Sequence, residues 1–174
     1  MRDAPDGTQQ IGRYFSWFAW IAALFVLYFL FDGALEKQVN PNQQVETFRD
    51  GNNAVVVLTQ NRAGHYVANG LINQRSVTFL LDTGATQVAV PGRLAGSLGL
   101  SSGTRVQVQT ANGVTSAYQT QIEVLQLGDI RLQNVSATIV PDYQSDHILL
   151  GMSALRALEF TQRNGELTIR QTNL

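Results

Sequence analysis

The polarity of the chain changes character three times along its length. Residues 1–13 (MRDAPDGTQQIGR) are polar and contain Pro5 and Gly7, which reads as a short N-terminal tail. Tyr14 to Phe31 (YFSWFAWIAALFVLYFLF) is eighteen residues without a charge. As a helix this stretch extends roughly 27 Å, about the hydrocarbon thickness of a bilayer. Aromatic rings crowd both ends (Tyr14, Trp17 and Trp20; Tyr28, Phe29 and Phe31), as at a membrane–water interface. A signal-peptide core is shorter, and no small-x-small cleavage site follows. A buried core helix would show a polar face, and none exists here. The pattern predicts one uncleaved membrane helix over 14–31. Arg2 and Arg13 precede the span, while Lys37 and Arg49 follow at greater distance. The positive-inside rule then puts the N-terminus in the cytoplasm and the remainder outside it, in the periplasm of a two-membrane bacterium.

Residues 32–53 (DGALEKQVNPNQQVETFRDGNN) are rich in Asn, Gln and charge, contain Pro41, and predict a linker. The run Ala34 to Val39 is able to prolong the membrane helix by a turn or two. From 54 to 174 the texture is short β-prone runs separated by turn signals: Ala54–Leu58, His65–Ile72, Val77–Leu81, Val88–Val90, Arg105–Gln109, Tyr118–Leu127, Ile130–Leu132, Ser136–Val140 and Ile148–Gly151. Asn112-Gly113 is the strongest two-residue hairpin signal, and Asn164-Gly165 turns a final hairpin. Arg93–Leu98, after Pro91-Gly92, and Met152–Leu158 predict short helices. Leu71–Leu81 and Leu125–Val140 form a weak internal repeat, each a strand, polar turn and strand. Each is followed by a loop, an apolar run ending in Gly and a short Leu/Ala helix. Two copies do not make a solenoid.

Composition narrows the chemistry. With 174 residues, a net charge of −1 and no basic run, nothing points to nucleic acid. The absence of cysteine excludes disulfides, zinc thiolate sites and thiol nucleophiles. His65 and His147 are far apart and outside any HExxH spacing, so neither a His-based metal site nor a Ser-His-Asp triad is expected.

The stretch that stands out is TFLLDTGATQVAV, Thr78 to Val90. Asp82-Thr83-Gly84 alone suits a surface turn. The apolar runs on both sides, however, are of the kind buried on both sheet faces, where an unpaired carboxylate is costly. A chance DTG in such a chain is only roughly a few per cent likely. The LLDTGAT string resembles the active-site loop of the aspartic proteases. The second motif, Leu149-Leu150-Gly151 followed by a helix, and the Asn112-Gly113 hairpin between the two motifs resemble the retroviral-type members, the retropepsins. The likeness covers roughly Val55 to Arg170 and is greatest to bacterial membrane-anchored forms. It implies an all-β fold, a closed β-barrel or sandwich lobe with one or two short helices, over 54–174.

By that resemblance Asp82 is the catalytic carboxylate and Thr83 braces the loop across a dimer. Gly84 admits substrate backbone, Ala85 lines the cleft, and Ala111, Asn112 and Gly113 form a flap. Thr86 stands where the retroviral pattern has a second Asp, and a hydroxyl there is able to support the Asp82 loop. The flap lacks a Gly-rich tip. Peptide hydrolysis needs two carboxylates that share a water and one proton. The chain has one DTG, and Asp129, Asp142 and Asp146 lack the adjacent Thr-Gly and read as solvated turn residues. The second Asp82 then comes from a second copy in a homodimer. The expected activity is an aspartic endopeptidase acting on an extended peptide or protein, with no metal or organic cofactor. The same fold without catalysis, as a dimerising peptide-binding module, is the alternative; a structural envelope protein with a coincidental DTG is a third.

Overall fold

The computed structural model describes residues 7–110 and 113–172. It contains two units, residues 1–38 and 39–174. The first holds most of helix α1, Gly7–Val39. This helix starts inside the expected tail, since Thr8 to Ile11 offer no helix breaker, and it runs eight residues past Phe31. Ser16–Val39 is long and apolar enough to cross a membrane by length and composition. Its large side chains, such as Trp17, Phe25 and Leu30, lie exposed, as a helix meant for an apolar surrounding requires.

The second unit is mostly β-sheet. In chain order its strands are β1 (Glu46–Asp50), β2 (Asn53–Thr59), β3 (Val67–Ile72), β4 (Arg75–Leu81) and β5 (Val88–Pro91), then β6 (Arg105–Thr110), β7 (Gly113–Leu127) and β8 (Ile130–Val140), then β9 (His147–Leu150), β10 (Glu159–Arg163) and β11 (Glu166–Gln171). Two four-residue helices, α2 (Gly92–Ala95) and α3 (Met152–Leu155), follow β5 and β9. They are shorter than their Leu/Ala composition predicts. The two runs expected at 130–132 and 136–140 are one strand, in which Asn134 takes a left-handed conformation and is skipped in the ladder with β7, while the register is the same on either side of it.

The larger sheet has the order β3-β4-β9-β5-β8-β7-β6, and β3 also pairs with β7, so six strands close into a barrel with β6 attached outside. The pairing follows the internal repeat. β4 pairs parallel with β9 and β5 parallel with β8, while β3–β7 and β5–β9 pair like with like. The smaller sheet, β1-β2-β11-β10, contributes Val56, Leu58, Leu167 and Ile169 to the same apolar core as Phe79, Ile122, Leu125 and Ile148. Closing the barrel removes the free edges of its six strands.

The segment expected as a linker is built into this unit from residue 40 onward. β1 pairs along its full length with β2, although all five of its residues are exposed. Asn42 is buried. Its amide nitrogen donates to Val67 O (2.7 Å) and Thr59 O (2.9 Å), and its Oδ1 accepts the Thr59 N–H (2.7 Å). Asn40 Oδ1 accepts the Asn42 N–H at 3.0 Å. A polar, Asn-rich segment is thus held chiefly by satisfying backbone groups of β2 and β3, with Val45 packed against the core.

Candidate active site

The barrel order explains the shape of the Asp82 loop. β4 and β5 flank β9, so the loop 82–87 that joins them must arch over the C-terminal end of β9. Leu81 stands opposite Leu150 in the parallel ladder, and the Asp82 N–H continues it to Leu150 O (3.2 Å). Gly151 comes directly beneath the arch. A β-carbon there would lie 2.6 Å from Ala85 O, and Gln87 O is closer still. Only glycine lets β9 leave under the loop.

Each turn of the loop is held by a backbone bond. Asp82 Oδ1 accepts the Gly84 N–H at 2.8 Å, and Asp82 O accepts the Ala85 N–H at 3.2 Å. These fix the carboxylate over its own turn. Ala85 O and Thr86 O accept the N–H groups of Met152 (2.8 Å) and Ser153 (3.0 Å), which open α3. Ser153 Oγ accepts the Val88 N–H (3.0 Å) and donates to Ser136 O (2.7 Å), tying the exit of the loop to β8. The LLDTGAT and Leu149-Leu150-Gly151 motifs are therefore one clasped structure. Ser153 escaped the sequence reading because a serine in a short helix carries no signal for a contact seventeen residues away.

Asp82 is half-buried, as are Leu80 and Leu81 before it, whereas Phe79 is fully buried. The expectation of runs buried on both faces does not hold: full burial alternates, at Phe79 and at Val88 and Val90, while Leu80, Leu81 and Ala89 between or beside them are half-buried, as is the acid itself where β4 leaves the sheet. Thr83, Gly84 and Thr86 are exposed and Ala85 is half-buried. The loop thus presents Thr83 and Gly84 outward and turns the Ala85 and Thr86 carbonyls inward to α3.

The second half of the repeat has its own arch, residues 141–146, over the end of β5. There Gly92 takes the place of Gly151: a β-carbon on it would stand 2.9 Å from the Pro141 α-carbon. Counting from the strand ends, Leu81 of β4 and Val140 of β8, Asp82 corresponds to Pro141. The equivalent loop supplies no carboxylate at that point. Its two acids are engaged elsewhere: Asp142 Oδ2 accepts from Thr115 Oγ (3.0 Å), and Asp146 pairs with Arg93. Asp142 is thus more than a solvated turn residue, for it ties the loop to β7. Asp129, in the β7–β8 turn, is exposed.

β6 and the first half of β7 form the long hairpin expected between the two motifs, paired from Arg105↔Tyr118 to Thr110↔Gly113. Gly113 has a φ of 111°, which suits glycine at a hairpin end. Ala111 and Asn112 lie outside the described residues. Among the described residues no group of three His, Asp or Glu side chains is placed to hold a metal ion.

This barrel, with its arched Asp-Thr-Gly loop, defines an aspartic protease lobe, and comparison with known proteins agrees. Residues 68–157 match the family described as gag-polyprotein putative aspartyl protease, and the chain belongs to that retropepsin-like family. A retropepsin-like aspartic protease from Rickettsia conorii shares 27% identity and a TM-score of 0.58, covering 74% of this chain and 96% of its own. The EIAV protease complexed with the inhibitor HBY-793 shares 19% identity with a TM-score of 0.45, over 57% of this chain and 92% of its own. An uncharacterized Sinorhizobium protein from the cobV 5′ region is 34% identical over 119 residues, 66% of this chain. The chain spans about half the length of that relative, 51%.

Proposed function

We propose that this chain is a membrane-anchored aspartic endopeptidase that works as a homodimer, with one Asp82 from each copy. The observation that carries the proposal is the mismatch between the two arches: one begins with Asp82 after Leu81, the other with Pro141 after Val140. A single chain holds half of a carboxylate pair, and a two-fold axis beside the Asp82 loop completes it.

In this reading the two carboxylates share one proton, because like charges in contact do not both ionise. The ionised one takes a proton from a water, whose oxygen attacks the scissile carbonyl carbon. The protonated one gives its proton to the carbonyl oxygen. The tetrahedral diol then collapses: one of its hydroxyls gives its proton to the ionised carboxylate, the C–N bond breaks, and the nitrogen leaves with the proton held by the other, so the pair ends with its one shared proton. Thr83 braces each loop against its partner and Gly84 lets substrate backbone approach. Ala85 lines the cleft, and the outward position of Thr86 suits contact with substrate. The hairpin ending at Ala111, Asn112 and Gly113 covers an extended peptide held by backbone hydrogen bonds. Helix α1 places both copies in one bilayer, in the periplasm-facing orientation, and so raises their effective concentration. No cofactor enters the reaction.

The test is incubation of the full chain, in detergent, with a peptide library and mass spectrometry of the products. Cleavage by the wild type that vanishes in Asp82→Asn supports the proposal. Cleavage that survives the substitution, or no cleavage by either, contradicts it.

A further inference from the structure

Helix α1 ends at Val39, and Val39 already belongs to the second unit. Its carbonyl accepts a hydrogen bond from Asn61 Nδ2 at 2.9 Å. Asn40, the next residue, is buried, and its Nδ2 donates to Asn69 Oδ1 of β3 at 2.8 Å. The chain therefore has no slack between the end of its membrane helix and its first fixed points in the barrel. We infer that the substrates are membrane-inserted proteins, cut in an extended segment within about a dozen residues of a span. The inference rests on the membrane-anchored endopeptidase reading above and deepens it by naming the substrate class.

Two chains of contact lead from that point to Asp82, and both stay within the second unit. The first runs through Asn61. Its Oδ1 accepts the N–H groups of Ala63 (3.0 Å) and His65 (2.9 Å), and its own N–H donates to His65 O (2.8 Å), so the turn 61–65 is tied to itself. Tyr66 follows, and its carbonyl accepts the Leu81 N–H (3.0 Å), one residue before Asp82. The second runs through Asn42, whose Nδ2 reaches Val67 O, and Val67 stands opposite Leu80. Laid end to end at full stretch, the steps of either route put the α-carbons of Val39 and Asp82 at most about 30 Å apart.

The uncharged run ends at Phe31, and Asp32 to Val39 continue the helix. At the rise of an α-helix those residues lift Val39 about 12 Å above the hydrocarbon. The Asp82 loop is thus held within about 40 Å of the bilayer core. A chain leaving the same bilayer covers that height with about a dozen extended residues. The segment to be cut must be unfolded, because the cleft takes an extended peptide. The connector between a membrane span and a folded domain meets both conditions. It is also confined to the same two dimensions as the enzyme, which raises its effective concentration over that of a soluble protein.

The probe is a fusion in which residues 1–39 of this chain serve as the anchor, so that it shares the enzyme's topology. After Val39 it carries the peptide cut fastest in the library assay. The joint is about six Gly/Ser residues in a near probe, and in a far probe about forty residues of EAAAK repeat that continue the helix about 60 Å outward. Each is co-expressed with the full-length enzyme in one bacterial membrane, with the Asp82→Asn chain as blank, and cleavage is followed by immunoblot. The near probe should be cut at least about tenfold faster than the far one. A second enzyme carries about sixty Gly/Ser residues between Lys37 and Gln38, which add about 40 Å of reach and leave Val39 and its Asn61 bond in place. It should bring the two rates to within about twofold of each other. Equal cutting of the two probes by the wild type overturns the substrate class, as does a preference that the insertion leaves unchanged. So does cleavage of the free peptide in detergent without cleavage of either probe. A library in which nothing is cut removes the endopeptidase reading itself, and this inference with it.

Discussion

Gly151 lies against Ala85 with no room for a side chain between them: a β-carbon on residue 151 would stand 2.6 Å from the Ala85 carbonyl oxygen. That carbonyl is also the acceptor for Met152 N–H, so it has no freedom to move aside. Gly151→Ala should therefore push the Asp82 loop off its position while leaving the distant strands intact. We expect a kcat loss of about 100-fold, the scale of an ångström-sized misplacement of a reacting group. Circular dichroism should show the β-sheet preserved. Unchanged kcat would mean that the arch does not position the acid.

Ser153 acts on the other end of the same loop. Its hydroxyl is the partner of the Val88 N–H, and Val88 is fully buried. Ser153→Ala leaves that donor and the Ser136 carbonyl without their bonds, which should cost about 1–3 kcal/mol in urea unfolding. Ser153→Thr, which keeps the hydroxyl, should recover much of the loss.

Asn42 shows where the folded unit begins. It saturates three backbone groups of β2 and β3, so Asn42→Ala should destabilise the unit by about 2–3 kcal/mol. A fragment of residues 39–174 should unfold cooperatively. One of residues 54–174 lacks Asn42 and β1 and exposes the edge of β2, so it should be less stable and prone to aggregate. Equal melting of the two fragments would show that the clasp contributes nothing.

The proposed orientation of α1 rests on Arg2 and Arg13 ahead of it. A phosphatase reporter fused after residue 174, active only in the periplasm, should be active. A cytoplasm-only reporter active at the same place would reverse the assigned topology.

The site was legible in the sequence where chemistry forces unusual residues into a strand-rich setting. Asp82, Gly84 and Gly151 stand out because an acid or a glycine next to apolar runs is costly without a reason. The barrel strands were legible for the same cause, since their β-branched runs must be buried. β1 was not: ETFRD is wholly exposed, so its partner and not its own pattern makes it a strand. The Asn40–Asn42 clasp was invisible because Asn in a polar stretch ordinarily marks a loop. Here the amides replace a strand's hydrogen bonds. The correspondence of Asp82 with Pro141 needed the pairing scheme, since the repeat is too loose to align by residue type.

The central claim, one Asp82 per copy in a shared pair, is tested most directly by mixing subunits. Wild-type and Asp82→Asn chains are co-refolded in varying proportion at constant total, with a check that the variant still dimerises. A mixed dimer has one ionisable carboxylate and one amide, which is unable to hold the shared proton, and should be nearly inactive. Activity should then fall as the square of the wild-type fraction, so that an equal mixture keeps roughly a quarter of the full rate. A linear dependence, with roughly half the rate in the equal mixture, would mean that each chain acts alone and would contradict the account.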